Sequence, residues 1–94
     1  MAAARLQRRL RRRRALEESE RERVGRLSAR ETEILQLTAE GLESQAIADR
    51  LGISHATVRT HTANTLTKLG VHSKTEAVVL AIRHGKVAAE GPLL

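Results

Sequence analysis

The 94-residue chain contains no cysteine, so it can form neither a disulfide framework nor a thiolate metal site. It has no phenylalanine, tyrosine or tryptophan. That excludes the stacking platforms of RNA-recognition sheets and single-strand binders, and it leaves only small aliphatic side chains for a core. Long apolar runs are also missing. The longest, Ala77 to Ile82, has six residues, too few for a membrane span or for the apolar stretch of a secretory leader. There is no Ser-His-Asp order and no Gly-rich phosphate loop, so no enzymatic role is expected. His55, His61, His72 and His84 lack metal-ligand spacing, and neither a metal nor another cofactor is expected. His61 reads as a packing residue, and Glu31 as a capping carboxylate that orients a basic neighbour.

What the chain does have is positive charge in one place. The 17 Lys and Arg outnumber the 11 Asp and Glu, a net of +6. Residues 1–27 hold ten arginines and four glutamates, whereas residues 28–94 hold seven basic and seven acidic side chains. The whole excess therefore sits in an N-terminal arm, and a chain this basic points to nucleic acid or another anionic surface. A single domain is expected at this length.

The arm, residues 1–26, has no proline, no glycine before Gly25, and is rich in the helix formers Ala, Leu, Arg, Glu and Gln. Arg13 and Glu17, Arg14 and Glu18, Glu17 and Arg21, and Glu22 and Arg26 stand four apart, each pair worth roughly 0.2–0.5 kcal/mol in a helix. Six arginines within Arg8–Arg14 repel one another and oppose folding in isolation. A heptad seam of Ala3, Leu6, Leu10, Val24 and Leu27 breaks at Arg13, Glu17 and Glu20. The expectation is a solvated, conditional helix and not a continuous coiled coil. An Arg- and Ala-rich start also suits an organelle transit peptide, but no serine precedes Ser19.

From Leu27 onward four short amphipathic segments follow, each with explicit punctuation. Ser28 with Glu31 is a capping box opening a helix to about Glu40, with Ile34, Leu35, Leu37 and Thr38 on its buried side and Gly41 stopping it. Ser44 is expected to cap a second helix carrying Ala46, Ile47, Ala48 and Leu51, ended by Gly52. Ser54 caps a third to Leu69, ended by Gly70. Ser73 with Glu76 forms another capping box for a fourth, closed near Gly85. No segment alternates with period two, so the fold class is all-α: a compact four-helix domain over residues 27–87, preceded by the arm and followed by a flexible tail, 88–94.

The spacing within Gln45–Leu69 is that of two helices meeting at a tight corner. Ala48 is small enough for a close crossing, Gly52 tolerates positive φ at the corner, and Val58 can plug the angle, with Ile47, Leu51 and Ile53 filling the rest. At about 100° per residue, the third helix divides into a stripe of Val58, Thr62, Thr65 and Leu69, flanked by His61 and Leu66, and an opposite face of Arg59, Thr60, Ala63, Asn64 and Thr67. That second face is short, polar and free of carboxylates. Such a face suits the DNA major groove, where Arg pairs with guanine, Thr hydrogen-bonds and Ala or a Thr methyl touches a thymine methyl.

Together, Leu27-Ser28-x-Arg30-Glu31-x-Glu33-Ile34-Leu35-x-Leu37, Gly41-Leu42, Ile47-Ala48-x-x-Leu51-x-Ile53-Ser54, Thr57-Val58-Arg59-x-His61-x-x-Asn64, Lys68-Leu69-x-Val71 and Ala77-Val78-x-x-Ala81 resemble the LuxR-type (NarL/FixJ-type) helix-turn-helix domain. The resemblance covers roughly residues 26 to 87. It implies a bacterial transcription regulator acting in the cytoplasm on double-stranded DNA, with the third helix reading bases and the fourth supporting dimerisation. By that resemblance Arg59, Thr60, Ala63 and Asn64 face the groove, Lys68 follows them, and Ser54, His55 and Thr57 lie near a phosphate at the helix N-terminus. Ser44 and Gln45 open the second helix where the family usually has Ser-Asn-Lys-Glu, so a capping box and a phosphate-binding lysine are lost.

The fourth helix carries more apolar surface than one core face uses. Val79, Leu80 and Ile82, with Arg83 at the rim, are therefore expected to form a homodimer interface, unless the arm or a further domain covers them. The arm has two readings: its seven arginines in residues 5–14 add phosphate contacts, or it is a solvated linker to a sensor or receiver domain. RNA polymerase is a further partner that the resemblance implies. The competing functional readings are a promoter module like region four of a sigma factor, and an interaction protein whose arm binds RNA or a membrane surface.

Overall fold

The computed structural model describes residues 2–89. Five helices follow in order: α1 (Ala2–Gly25), α2 (Ala29–Ala39), α3 (Ser44–Leu51), α4 (His55–Leu69) and α5 (Lys74–Arg83). Among the described residues there is no strand. Residue 88 is tied down, since the Ala88 N–H donates to Gln36 Oε1 at 2.8 Å. The rest of the expected flexible tail, from residue 90, lies outside the described residues.

Polar punctuation sets the boundaries. The Ser28–Glu31 box is complete: Ser28 Oγ accepts from the Glu31 N–H at 3.0 Å, and Glu31 Oε1 accepts from the Ser28 N–H at 2.8 Å. Ser54 caps α4 through the Thr57 N–H. Two expected caps differ. Ser44 is not the cap of α3 but its first residue; Glu43 occupies the cap position without a side-chain bond. At α5 the Ser73 hydroxyl does cap, but the Glu76 carboxylate accepts from the His72 N–H, one residue outside a reciprocal box. Gly52, at φ 68°, turns the α3–α4 corner, and the Ile53 N–H returns to the Ala48 carbonyl at 3.1 Å.

Two aliphatic clusters share α2 and α4. Ile34, Leu37, Ile47, Ala48 and Val58 fill the corner. Leu35, Leu69, Ala77, Leu80, Ala81 and Val87 form the second cluster together with Leu27 and, from α1, Val24. Thus α4 is clamped at both ends, by Val58 and Leu69, each fully buried. Thr65 between them is also buried, its hydroxyl donating to the His61 carbonyl at 2.9 Å.

The heptad seam of the arm splits in two. Leu6 and Leu10 remain exposed, whereas Val24 and Leu27 are spent in the domain core. Residues 2–19 of α1 lie on the surface, and the long molecular axis of 58 Å reflects their projection. Among the described residues none of the four expected ion pairs along α1 closes. Exposed pairs of this kind gain little over solvation, so their absence costs the helix little.

The root of α1 is instead held by bonds to other elements. Arg23 Nη1 donates to the Leu69 carbonyl at 2.6 Å, at the C-terminus of α4. Glu20 Oε1 stands 2.9 Å from His84 Nε2 and 3.3 Å from Arg83 Nη1. The His84 hydrogen bond holds the Glu20 carboxyl below its ordinary value of 4.5, opposed by partial burial and aided by Arg83. A carboxyl depressed in this way adds stability that is complete above its unfolded value and lost as pH falls through the folded one. The amide shifts of Val24 and Leu27, followed from about pH 7 to about pH 3, are expected to move with a midpoint below 4.5. Glu20→Gln should abolish that transition, and an identical transition in the variant would mean that Glu20 does not anchor the helix.

Candidate nucleic-acid interface

Helix α4 places Arg59, Thr60, Ala63, Asn64 and Thr67 in solvent, while Val58, Thr65 and Leu69 are buried and His61, Thr62 and Leu66 half-buried. The division expected from about 100° per residue is the one observed. It arises because the aliphatic positions of α4 face α1, α2, α3 and α5, leaving the polar arc to solvent.

Ser44, His55, Arg59, Thr60 and Ala63 come together along one open groove, joined by Ala56, Thr62 and Lys74. The floor is the first two turns of α4, and the two rims are the starts of α3 and α5. Lys74 was not among the expected site residues. Its Nζ donates to Ser44 Oγ at 3.1 Å, bridging the two rims. The signal that could have found it is the N-terminal position of a lysine on a helix that crosses α4, a property of packing that linear spacing does not carry.

The N-terminus of α4 is well ordered by its own side chains. Ser54 Oγ accepts from the Thr57 N–H at 3.0 Å and lies 2.8 Å from Thr57 Oγ1. Its first turn has no acidic residue, so the positive end of the helix dipole is uncompensated. Gln45 is exposed, with its amide turned to Asp49 at 3.1 Å. Asn64 shares the outward arc but lies beyond the groove.

Lys68 stands apart from this group. Its ammonium pairs with Glu31 Oε1 at 2.7 Å, under the start of α2. Burial pushes the Glu31 carboxyl up, but the Lys68 hydrogen bond and the Ser28 N–H overcome that, and its pKa lies below 4.5. The basic neighbour expected for Glu31 is therefore Lys68, whose side chain remains 39% exposed beside the outward face.

On α5, Val79 is 48% exposed and Ile82 half-buried, but Leu80 is only 6% exposed. Leu80 is thus removed from the expected subunit surface, because Val24 and Leu27 occupy that side of α5. Arg83 is exposed but turned toward Glu20. The arm, the alternative cover for this helix, covers part of it.

The model of the bacterial regulatory proteins of the luxR family matches residues 25–81, more than half of the chain. The chain belongs to that family. Among similar proteins, the transcriptional regulatory protein YxjL of Bacillus subtilis (strain 168), itself described as uncharacterized, is 47% identical over 58 residues, 62% of this chain and 27% of that protein. The transcriptional regulatory protein DegU of Brevibacillus brevis is 43% identical over 61 residues, 65% of this chain and 26% of its own length. The response regulator protein VraR of Staphylococcus aureus (strain Mu3 / ATCC 700698) is 44% identical over 61 residues, 65% of this chain and 29% of its own length. The matched region thus spans little more than a quarter of these relatives. A solved structure of the transcription factor GerE superposes with a TM-score of 0.66 at 38% identity, covering 68% of this chain and 96% of that one. The luxR match extends beyond the helix-turn-helix into α5, to residue 81. No helix of the described residues is long and apolar enough to cross a membrane.

Proposed function

We propose that this luxR-family chain binds a specific sequence of double-stranded DNA as the reading module of a transcriptional regulator, with α4 in the major groove. The observation that carries this reading is the carboxylate-free outward arc of α4. Arg59, Thr60 and Ala63, with His55 at the start of the same helix, line an open groove whose rims supply Lys74 and Ser44. Arginine reads guanine by two hydrogen bonds, and small neighbours allow the helix to seat deeply. Lys74 and the α4 N-terminus are suited to the phosphates on either side.

Dimerisation through α5 is part of the same proposal, narrowed to Val79 and Ile82 with Arg83 at the rim. Two copies related by a two-fold axis would read half-sites about 10 bp apart. The reading carries a cytoplasmic location, no catalytic activity, and RNA polymerase as a further partner. Regulators that read DNA in this way work through binding alone.

Selection of bound duplexes from a random pool, followed by titration, tests it. Arg59→Ala is expected to cost about 1–3 kcal/mol on the selected site and to relax the preference at one base pair. Unchanged affinity and unchanged preference would remove α4 from the groove and favour the interaction-protein alternative.

A further inference from the structure

The arginine-rich arm is more than a charged tail, because its root is fixed. Arg23 bonds to the last carbonyl of α4, Glu20 lies against Arg83 and His84, and Val24 is inserted into the core. From that anchor α1 continues as one helix to Ala2. Its orientation relative to α4 is therefore set by the protein and not by diffusion of a linker.

The azimuth of the arginines follows from this. Five whole turns separate Arg23 from Arg5, so at about 100° per residue both lie on one line along α1. Arg12 and Arg9 fall within about 40° of that line, whereas Arg14 lies opposite and Arg11 about 120° away. The side of α1 that meets α4 at the root thus continues outward as Arg12, Arg9 and Arg5. These side chains are exposed, and among the described residues no carboxylate closes on them. The root is connected to the reading face through the start of α5. Ser73 lines the cleft beside Glu20 and Arg23, and its neighbour Lys74 lines the groove with Arg59.

We infer that α1 is a rigid strut that lays the Arg5–Arg9–Arg12 line along the phosphate backbone of the DNA flanking the site read by α4. The charge complementarity is with a duplex carrying one phosphate per strand every 3.4 Å or so. Arg5 stands about 27 Å from Arg23 along the helix, enough to pass roughly eight base pairs of flank. The domain itself is neutral over residues 28–94, so the strut supplies most of the salt-dependent affinity. The inference rests on the proposed placement of α4 in the groove.

The test uses the full chain and two double variants that remove equal charge. Arg5→Gln/Arg12→Gln alters the facing line, and Arg11→Gln/Arg14→Gln alters the far side; circular dichroism confirms that both keep their helix. Affinity is measured against salt on the selected site, once as a short duplex and once with about ten base pairs of flank on each side. On the flanked duplex the facing pair is expected to reduce the slope of log K against log salt by about 1.8, two phosphate contacts. The far pair should change it little, and on the short duplex wild type and both variants should coincide. Equal losses from the two pairs, or losses independent of flank, would overturn the strut. So would a facing pair that loses binding to phosphatidylserine vesicles while keeping flanking DNA.

Glu20→Ala adds a second criterion, since it removes a negative charge and loosens the root. Simple charge counting has it bind flanked DNA more tightly. The strut has it bind several-fold more weakly, and tightening would refute it. Site preference on the short duplex, with Arg59→Ala as its control, reports on α4 alone. A lost preference there indicts the groove reading, whereas intact preference with indistinguishable arginine pairs indicts only the strut.

Discussion

Leu69→Ala is expected to lower the unfolding free energy by about 3–4 kcal/mol, within the range for a leucine truncated in a packed interior. Leu69 is fully buried, and its neighbours come from α1, α2 and α5 as well as the chain after α5. A void at that junction cannot close by shifting one helix, because each wall is fixed from another side. The carbonyl that receives Arg23 belongs to the backbone and survives the substitution, so the loss reports on packing and not on the anchor. Small domains have about 5–15 kcal/mol in total, and such a loss removes a large share of it. With no aromatic residue in the chain, urea unfolding is followed by far-ultraviolet circular dichroism. Val79→Ala, at a half-exposed position, serves as control and should stay within about 0.5 kcal/mol. Equal midpoints for the two variants would show that the α1 root, α4 and α5 do not form one cooperative core.

The features legible in the sequence are those that a residue type enforces locally. Ser28, Ser54 and Ser73 accept from the N–H three residues ahead, and Gly52 and Gly70 both adopt φ 68° at helix ends. The two faces of α4 were legible for the same reason, since 3.6-residue periodicity requires no knowledge of the partner. Where the reading fell short, a side chain had two competing partners. Ser44 lies within reach of Lys74, 30 residues away, and joins the helix instead of capping it. Glu76 had two adjacent N–H groups to choose from and took that of His72. The basic neighbour expected for Glu31 could not be named from the sequence because it, Lys68, lies 37 residues later.

The arm shows the same limit on a larger scale. Val24 and Leu27 belong to a heptad frame on paper, but a frame specifies only that these residues need an apolar partner. The partner is the chain's own core of α2, α4 and α5, and packing there withdraws Leu80 from the surface and leaves Val79 and Ile82 as the accessible part. The apolar surface that α5 leaves for a second copy is smaller for it, and the arm is anchored by it. Periodicity identifies which face is sticky; only tertiary packing decides what it meets.

Glu31→Ala should cost about 3 kcal/mol, the combined loss of a capping interaction and a charge-assisted hydrogen bond. The side chain is 4% exposed and serves two partners, the Ser28 N–H and Lys68 Nζ. Lys68→Met retains the aliphatic stem and removes the charge, and since the Lys68 side chain is 39% exposed its own loss should be nearer 1 kcal/mol. The double variant should cost less than the sum of the two single ones, by about 1 kcal/mol, because each single change forfeits the shared interaction. The acid limb separates this from a purely steric effect. In the wild-type protein Lys68 and Ser28 keep the Glu31 carboxyl below 4.5 despite burial, so its contribution is complete above that value and is lost as pH falls through the lower one. Without Lys68 the burial penalty is less opposed, the carboxyl protonates earlier, and acid unfolding of Lys68→Met must begin at higher pH than in the wild type. Superimposed acid limbs would mean that the ammonium does not reach Glu31 in solution. Lys68 would then be free to face DNA, and the salt dependence of operator binding, which this pairing leaves unchanged in Lys68→Met, would fall by about one contact.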